Sequence, residues 1–450
     1  MDALLIIFLT GLISLFLGMM KKPAYALGLN LLGLSVAFIL FWNHASYVSI
    51  LKSYAGSLVF NGPQIYLSLM AILFTGLVLI GGYAMQSKDK LHYADITSLM
   101  MFSLTGALCL IGFKDFFMFF IGLEILSIPV YVLVGSRKAE HLASEAALKY
   151  FFTGSFATAI LLFGIALVFG ATGSFNLNEI GFAVMSGLYT PALMIAGVLL
   201  IIASLLFKVG AVPFHFWNAD VYEGSSKGVM AYMSTVVKIA GFIALYKLIK
   251  TTFGNLSDQW MYFMYAVIIA SLFIGYLSGL KQTSLKRLMA FSGISNTGIA
   301  LLSIMNGTQS GERSLVIFLL GYGASSLILL FISQVVSEEE DQISSLEGIG
   351  YKNPLVGFSL LVALLSLSGI PPFTGFFGKF LLIKDIIQLH PVLGIAAILS
   401  SVIGAYIYLR LILLIFSKRT PAEKISLDWK LALVLITSLV LLFAGWMLIL

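Results

Sequence analysis

Charge and cysteine are what this sequence has least of. Only 10% of its 450 residues are Asp, Glu, Lys or Arg, against roughly 25% in a soluble domain, so an ordinary water-facing surface is excluded. Cysteine occurs once, as Cys109 inside an apolar run. An internal disulfide, a CxxC metal knuckle and a cysteine-held cluster are excluded with it, and no redox centre is visible. The opening stretch MDALLIIFLTGLISLFLGMM lacks a basic n-region and a small-residue cleavage site, so it reads as a retained first helix rather than a leader. Of the five histidines, His44, His92, His141 and His390 fall at the ends of apolar runs and attract no functional assignment.

What is present is apolar length. Hydrophobic residues make up 60% of the chain and the mean hydropathy is +1.03, which defines an all-α polytopic membrane protein. With about 20 apolar residues needed per crossing, fourteen segments are expected, near 2–20, 24–43, 66–86, 93–112, 115–135, 143–171, 187–209, 226–250, 259–279, 284–305, 313–336, 355–387, 391–417 and 429–449. Alternate connections, from Lys21-Lys22 to the stretch 417–430, hold fifteen of the 26 basic residues, and the intervening set holds six. By the positive-inside rule both termini face away from the cytoplasm. The glycines and the seventeen methionines are scattered and read as helix packing. The acidic run Glu338-Glu339-Glu340-Asp341 reads as a solvated cytoplasmic loop.

Against this background the few charges inside apolar segments stand out: Glu124, Lys149, Lys208, Lys238 and Lys379. A charge at the bilayer centre costs roughly 3 kcal/mol on insertion scales, and residues kept at that cost usually move protons or ions. Among the twenty carboxylates Glu124 alone lies mid-segment. Its charge depends on whether a lysine neighbour is protonated, which makes it a switch candidate, although a protonated Glu could simply join two helices. A lysine in a low-dielectric setting can accept and release a proton near neutrality. Lys208, at the end of a half-helix, also suits the negative end of the helix dipole. The bland alternative is snorkelling to the surface. It is easiest for Lys149, only about 9 Å inside its segment at 1.5 Å per residue, and hardest for Lys238.

Two segments are interrupted by proline. The seventh ends in Lys208-Val209-Gly210-Ala211-Val212-Pro213-Phe214-His215, and the twelfth contains Gly369-Ile370-Pro371-Pro372-Phe373-Thr374-Gly375. Proline removes a backbone donor and clashes with the preceding turn, so each helix is expected to split. Freed backbone at membrane depth is tolerated only where it is buried in protein or lines a wet cavity. Pro213 and Pro372 are 159 residues apart, and paired broken helices point to an inverted repeat with its ion path at the breaks. The expected organisation is helices one to three in 1–92, one five-helix repeat in 93–250, a second in 251–417, and a last helix in 418–450. His215 sits in the first break, where it could relay protons or only bond free carbonyls.

The stretch FKVGAVPFHFWNADVYEGSSKGVMAYMSTVVKIAGF resembles the signature of the antiporter-like membrane subunits of respiratory complex I. So do ALKYFFTGSFATAILLFGIALVFG, LKRLMAFSGISNTGIALL, and SLSGIPPFTGFFGKF with GAYIYLRLILLIF. The resemblance runs from about helix four to helix thirteen and leans to the N-type members. Lys379 stands where M-type members would carry Glu, the chain ends at Leu450 without the lateral helix of L-type members, and Tyr406-Ile407-Tyr408-Leu409-Arg410 looks N-like.

The resemblance implies a Glu124–Lys208 pair, Lys238 as central relay, Lys379 on the exit side and Lys149 as the helix-six lysine. It also implies a bacterial inner-membrane location, M-type and K-type neighbours and membrane lipids, with no nucleic-acid partner. This chain would hold no cofactor or metal; NADH, FMN, iron–sulfur clusters and quinone would belong to partner subunits. One departure is Asn296, where many relatives carry histidine; Asn cannot titrate, so water or a neighbouring hydroxyl such as Ser292 or Ser295 would have to bridge. Rival expectations are an Mrp-type cation/proton antiporter or energy-converting hydrogenase subunit, and a packing subunit whose charges only hold helices together.

Overall fold

The computed structural model describes residues 2–44, 56–60, 62–85, 92–306, 310–336, 341–417 and 427–448. Among these residues every regular element is a helix, and extended pairing is limited to isolated bridges such as Leu58 with Phe113 and Asp115 with Asn176. The helices are α1 (Asp2–Met19), α2 (Pro23–His44), α3 (Pro63–Met85), α4 (Tyr93–Gly112), α5 (Phe116–Val134) and α6 (His141–Thr172). There follow α7 (Leu177–Ser186), α8 (Pro191–Val209), α9 (Phe216–Gly224), α10 (Lys227–Tyr232), α11 (Lys238–Lys247), α12 (Ser257–Gly279) and α13 (Leu285–Met305). The last are α14 (Ser310–Val336), α15 (Pro354–Ser368), α16 (Thr374–Leu389), α17 (Pro391–Ile415) and α18 (Trp429–Ala444).

Among the described residues twelve helical segments are long and apolar enough to cross a membrane, and the chain is a multi-pass membrane protein. They occupy twelve of the fourteen expected positions. The other two positions, the first and the twelfth, hold shorter apolar helices, α1 and α15. The twelfth is short because it is broken: α15 stops before Gly369 and α16 resumes at Thr374. Helix α7 has no counterpart among the expected segments. Asn176 caps it by accepting from the amides of Asn178 and Glu179 at 2.9 and 3.4 Å, and Gly187 ends it at φ +69°, leaving ten residues, half a crossing.

The segment Lys227–Thr252 is also more structured than a plain span. A π-turn at Met233–Val237 separates α10 from α11, and a second at Leu248–Thr252 follows α11. Such turns insert an extra residue into the ladder and occur often at functional sites.

The fold divides into two compact units. The first comprises Met1–Gly76, Leu91–Trp217 and Val236–Val267; the second comprises Leu77–Lys90, Asn218–Thr235 and Ile268–Leu450. In the first, α6 and α8 cross where glycines face each other. A Cβ on Gly164 would lie 2.9 Å from the Gly197 carbonyl oxygen, and one on Gly197 would lie 2.8 Å from that of Gly164. Small residues of this kind let helices approach where lipid supplies no hydrophobic drive between them. In the second unit α14 is buried without a break from Ser314 to Ser333, as expected of a helix apolar on every side, while Ser310 and Arg313 in its first turn are exposed. By contrast, α6 and α17 are each only a third buried and present apolar faces to lipid or to other chains.

Two of the connections that enter the topology argument, 86–91 and 418–426, with five of its fifteen basic residues, lie outside the described residues, as do Glu338, Glu339 and Glu340 of the acidic run. Its last member, Asp341, is described. It accepts from the Lys286 amide at 3.1 Å and from the Ser284 hydroxyl, fastening the start of α13.

Candidate functional site

The break after α8 is built from its own sequence. Gly210 takes φ +73°, and the amides of Gly210 and Ala211 turn back to the last carbonyls, Ala211 reaching Leu206 at 2.9 Å. Glycine permits this left-handed cap without a Cβ penalty. The Phe207 carbonyl also accepts from the Trp217 indole at 3.2 Å, so the chain beyond Pro213 is hooked onto the helix it has just left. Trp217 in turn stacks on Tyr150 of α6, centroids 4.6 Å apart.

Within this frame Lys208 occupies the last turn of α8 with only 5% of its surface exposed. Its ammonium donates to the Ser127 hydroxyl at 2.6 Å, and the Ser127 hydroxyl in turn donates to the Leu123 carbonyl at 2.5 Å. The rings of Tyr131 and Tyr150 lie 5.7 and 5.8 Å from the ammonium, within cation–π range. Glu124 sits one turn before Ser127 on α5, half-buried, and accepts from the Thr158 hydroxyl of α6 at 2.9 Å. Carboxylate and ammonium thus each hold a hydroxyl partner, with Ser127 one helical turn from the acid and directly on the base.

Lys238 opens α11 immediately after the first π-turn and is 95% buried, its exposure being 5%. One turn further on, a Cβ on Gly241 would lie 3.8 Å from Cγ of Lys208. The stem of Lys208 therefore runs along the same stretch of α11 that carries Lys238, and the first unit gathers Glu124, Lys208 and Lys238.

The second unit repeats the break. Gly369 takes φ +79°, the Ile370 amide returns to Leu365 at 3.0 Å, and the Gly375 amide donates to the Ser366 hydroxyl at 3.2 Å. Lys379, on α16 and 5% exposed, reaches back across the break to the Leu367 carbonyl at 2.5 Å. An ammonium here neutralises the negative end of a half-helix, the role that Lys208 fills from within its own helix. The peptide bonds before Pro213 and Pro372 are both cis.

Asn296 lies in α13 and donates to the Ser292 carbonyl at 2.9 Å and to the Tyr408 hydroxyl at 3.2 Å. Tyr408 also meets the ring of Tyr276 edge-on at 6.3 Å, while the Ser292 hydroxyl donates to the Met289 carbonyl at 3.2 Å. Ser295 faces elsewhere and joins α13 to the Leu272 carbonyl of α12 at 2.9 Å. Of the two serines expected beside Asn296, Ser292 is therefore in the cluster, and the group that sequence reasoning missed is Tyr408. Its signal was a tyrosine in the polar-poor middle of the thirteenth segment.

The remaining expected residues stand apart. Lys149 pairs with Glu145 at 2.8 Å, an i,i+4 contact near the start of α6 with the lysine side chain 43% exposed. His215 is half-buried between α8 and α9 with its ring stacked on Phe216 at 4.6 Å. Two further buried lysines were not singled out. Lys286 donates to the carbonyls of Glu223 and Ser225, both at 2.9 Å, and Lys227 donates to the Ser333 carbonyl at 2.9 Å. Beside them Arg287 bridges Asp220 at 3.1 Å and Glu223 at 2.7 Å. Lys286 and Arg287 cap and clamp α9 while Lys227 ties the start of α10 to α14, and their place at segment ends hid them from a search for mid-membrane charge. Among the described residues no group of three or more His, Cys, Asp or Glu could hold a metal ion.

Interrupted membrane helices with a buried lysine at each interruption define a class of ion-translocating α-helical membrane proteins. The comparisons narrow the class. Residues 114–404 match the family model described as NADH:quinone oxidoreductase/Mrp antiporter, TM. The chain is 36% identical over 424 residues to NADH-quinone oxidoreductase subunit N of Cytophaga hutchinsonii, covering 93% of this chain and 91% of that protein. Its fold superposes on a chain of respiratory complex I from Thermus thermophilus with TM-score 0.85 and 28% identity, covering 99% of this chain and 97% of that one. A chain of the Mrp complex from Dietzia sp. has TM-score 0.80 at 22% identity, covering 94% of this chain and 81% of that one, and shares the fold. The chain belongs to the NADH:quinone oxidoreductase/Mrp antiporter transmembrane family, and its curated relatives carry the name subunit N.

Proposed function

We propose that this chain is a proton-translocating membrane subunit of an NADH:quinone oxidoreductase. The observation that carries the reading is the burial of Lys208, Lys238 and Lys379 at the two helix breaks and beside the π-turn. Three buried lysines, with Lys208 held by the Ser127 hydroxyl and Lys379 by a helix-end carbonyl, form a costly arrangement unless they carry charge through the membrane. Glu124 acts as the gate. A change of charge or hydration near it alters how firmly Lys208 holds its proton, and the proton then passes in the order Lys208, Lys238, Lys379. The hydroxyls of Ser127 and Tyr408 are bridging groups along the way. Lys149 and His215 flank the path, Lys149 as the charge that orders Glu145 and His215 as a lining group of the first break.

Redox chemistry belongs to the partner subunits in this reading, which supply NADH oxidation, FMN, iron–sulfur clusters and quinone. The half-buried face of α5 and α6 around Glu124, flanked by exposed Ile121, Ile128 and Phe156, suits coverage by a K-type neighbour, with an M-type neighbour elsewhere. A carboxylate at that depth is not left against lipid. Residues 93–250 and 251–417 serve as two inverted repeats. The shared Gly-X-X-Pro-Phe pattern at Gly210–Phe214 and Gly369–Phe373 supports that division. The fifteen-to-six distribution of basic residues supports periplasmic termini.

Affinity purification of the tagged chain from its native membrane tests the reading. The expected result is copurification with NADH-oxidising and quinone-binding subunits, and NADH-driven acidification of sealed vesicles. Isolation with a cation exchanger that runs without electron transfer would place the chain with the Mrp branch instead.

A further inference from the structure

One basic residue within a crossing has no part in the proton path. Arg410 lies on α17, five residues before its end at Ile415, or about 8 Å inside the segment at 1.5 Å per residue. Its side chain is exposed, and its neighbours on the outer face, Tyr406, Leu409 and Leu413, are 61%, 42% and 73% exposed. The arginine therefore stands on a face that lipid or another chain must cover. Among the described residues no carboxylate pairs with it: the nearby Asp341 is held by Ser284 and the Lys286 amide, and Glu347 accepts from Ser417 at 3.4 Å.

Beside Arg410 is a cavity of about 420 Å³, walled by the α12–α13 connection, the turn after Asp341 and the end of α17. Thr283, Gln342 and Ser344 line it with hydroxyl and amide donors, and Leu411 and Leu414 form an apolar wall. Its size is that of a small-molecule site. The α12–α13 connection belongs to the lysine- and arginine-rich set that the orientation proposed above places on the cytoplasmic side, and Lys281, Lys286 and Arg287 are close in sequence to its lining.

We infer that this cavity binds the headgroup of an anionic phospholipid of the cytoplasmic leaflet. The phosphodiester lies on Arg410, and the acyl chains run down the apolar face of α17. A guanidinium presents its donors in a planar fork that fits phosphate oxygens in pairs. Basic pockets between membrane helices on the cytoplasmic side recognise such headgroups, and the hydroxyl and amide donors add the hydrogen bonds a glycerol headgroup needs. A lipid satisfies the polar cavity and the bare apolar helix with one molecule.

The test uses the assembled complex in phosphatidylcholine liposomes doped with a photoreactive phosphatidylglycerol. Labelling is expected on this chain between residues 406 and 417. It should fall roughly tenfold in Arg410→Gln, the effect of losing a charge-assisted contact, and be largely kept in Arg410→Lys, which retains the charge. Equal labelling of wild type and Arg410→Gln overturns the site. Labelling by a photoreactive phosphatidylcholine to the same extent also overturns it, and that comparison needs only the wild-type complex should the glutamine variant fail to assemble. Displacement of the probe by inorganic phosphate would assign the cavity to a free anion, and crosslinking of position 410 to a neighbouring subunit would assign it to a protein contact; either contradicts the lipid assignment.

Discussion

Replacing Lys238 by Met is expected to slow proton transfer through this chain by on the order of a hundredfold, the usual scale for losing a positioned proton carrier. NADH-driven acidification of sealed vesicles should fall with it while the complex still assembles. Met is unbranched and fills much the same space, so the packing around position 238 is kept. The π-turn before Lys238 is made by backbone and by Met233–Val237, so it should survive. Lys238→Arg is the more telling control. Arginine keeps the charge yet holds its proton throughout the working pH range, so a purely electrostatic or packing role would be rescued and a carrier role would not. Assembled Lys238→Met complex that pumps normally would remove this residue from the path.

Glu124→Gln should lower pumping roughly tenfold or more with little effect on the helices around it. The hydrogen bond from Thr158, 2.9 Å in length, can be kept by the amide oxygen of Gln, so α5 and α6 remain joined. What disappears is the ability to be charged or neutral, and with it the means of altering how Lys208 holds its proton across Ser127. Glu124→Asp keeps the charge on a shorter arm and should recover part of the activity. Full pumping by the glutamine variant, measured on complex shown to be assembled, would make Glu124 a joint between helices and nothing more.

The positions of the crossings were legible because hydropathy over about twenty residues is a strong signal, and the breaks were legible because Pro213 and Pro372 admit few other readings. Lys208, Lys238 and Lys379 announced themselves by sitting in runs of Leu, Ile and Val. The partners of these lysines were not legible. That Lys208 rests on Ser127, 81 residues away, depends on how helices distant in sequence rotate against each other, and that Lys379 rests on the Leu367 carbonyl depends on how α16 turns back across its break; no local pattern records either. The same holds for Tyr408 beside Asn296. Ser295 was a reasonable candidate from adjacency, but at one residue from Asn296 on a helix it points about 100° away and meets α12 instead. Lys149 shows the opposite error of emphasis: its apolar context resembled that of Lys208, while its place near the start of α6 gave it Glu145 and the surface. The short helix α7 and the π-turns escaped because ten polar-flanked residues and a single inserted residue are both below what periodicity can resolve.

The central claim is that Lys208 and Lys238 lie on one route, and the direct measurement is the number of protons moved per NADH oxidised by purified complex in sealed liposomes. It is made for Lys208→Met, Lys238→Met and the double variant. Groups in series are strongly non-additive: once one carrier is gone, the second substitution should cost nothing further, and all three variants should give the same reduced ratio. A double variant whose loss is the product of the two single losses, or single variants with an unchanged ratio, would contradict the account.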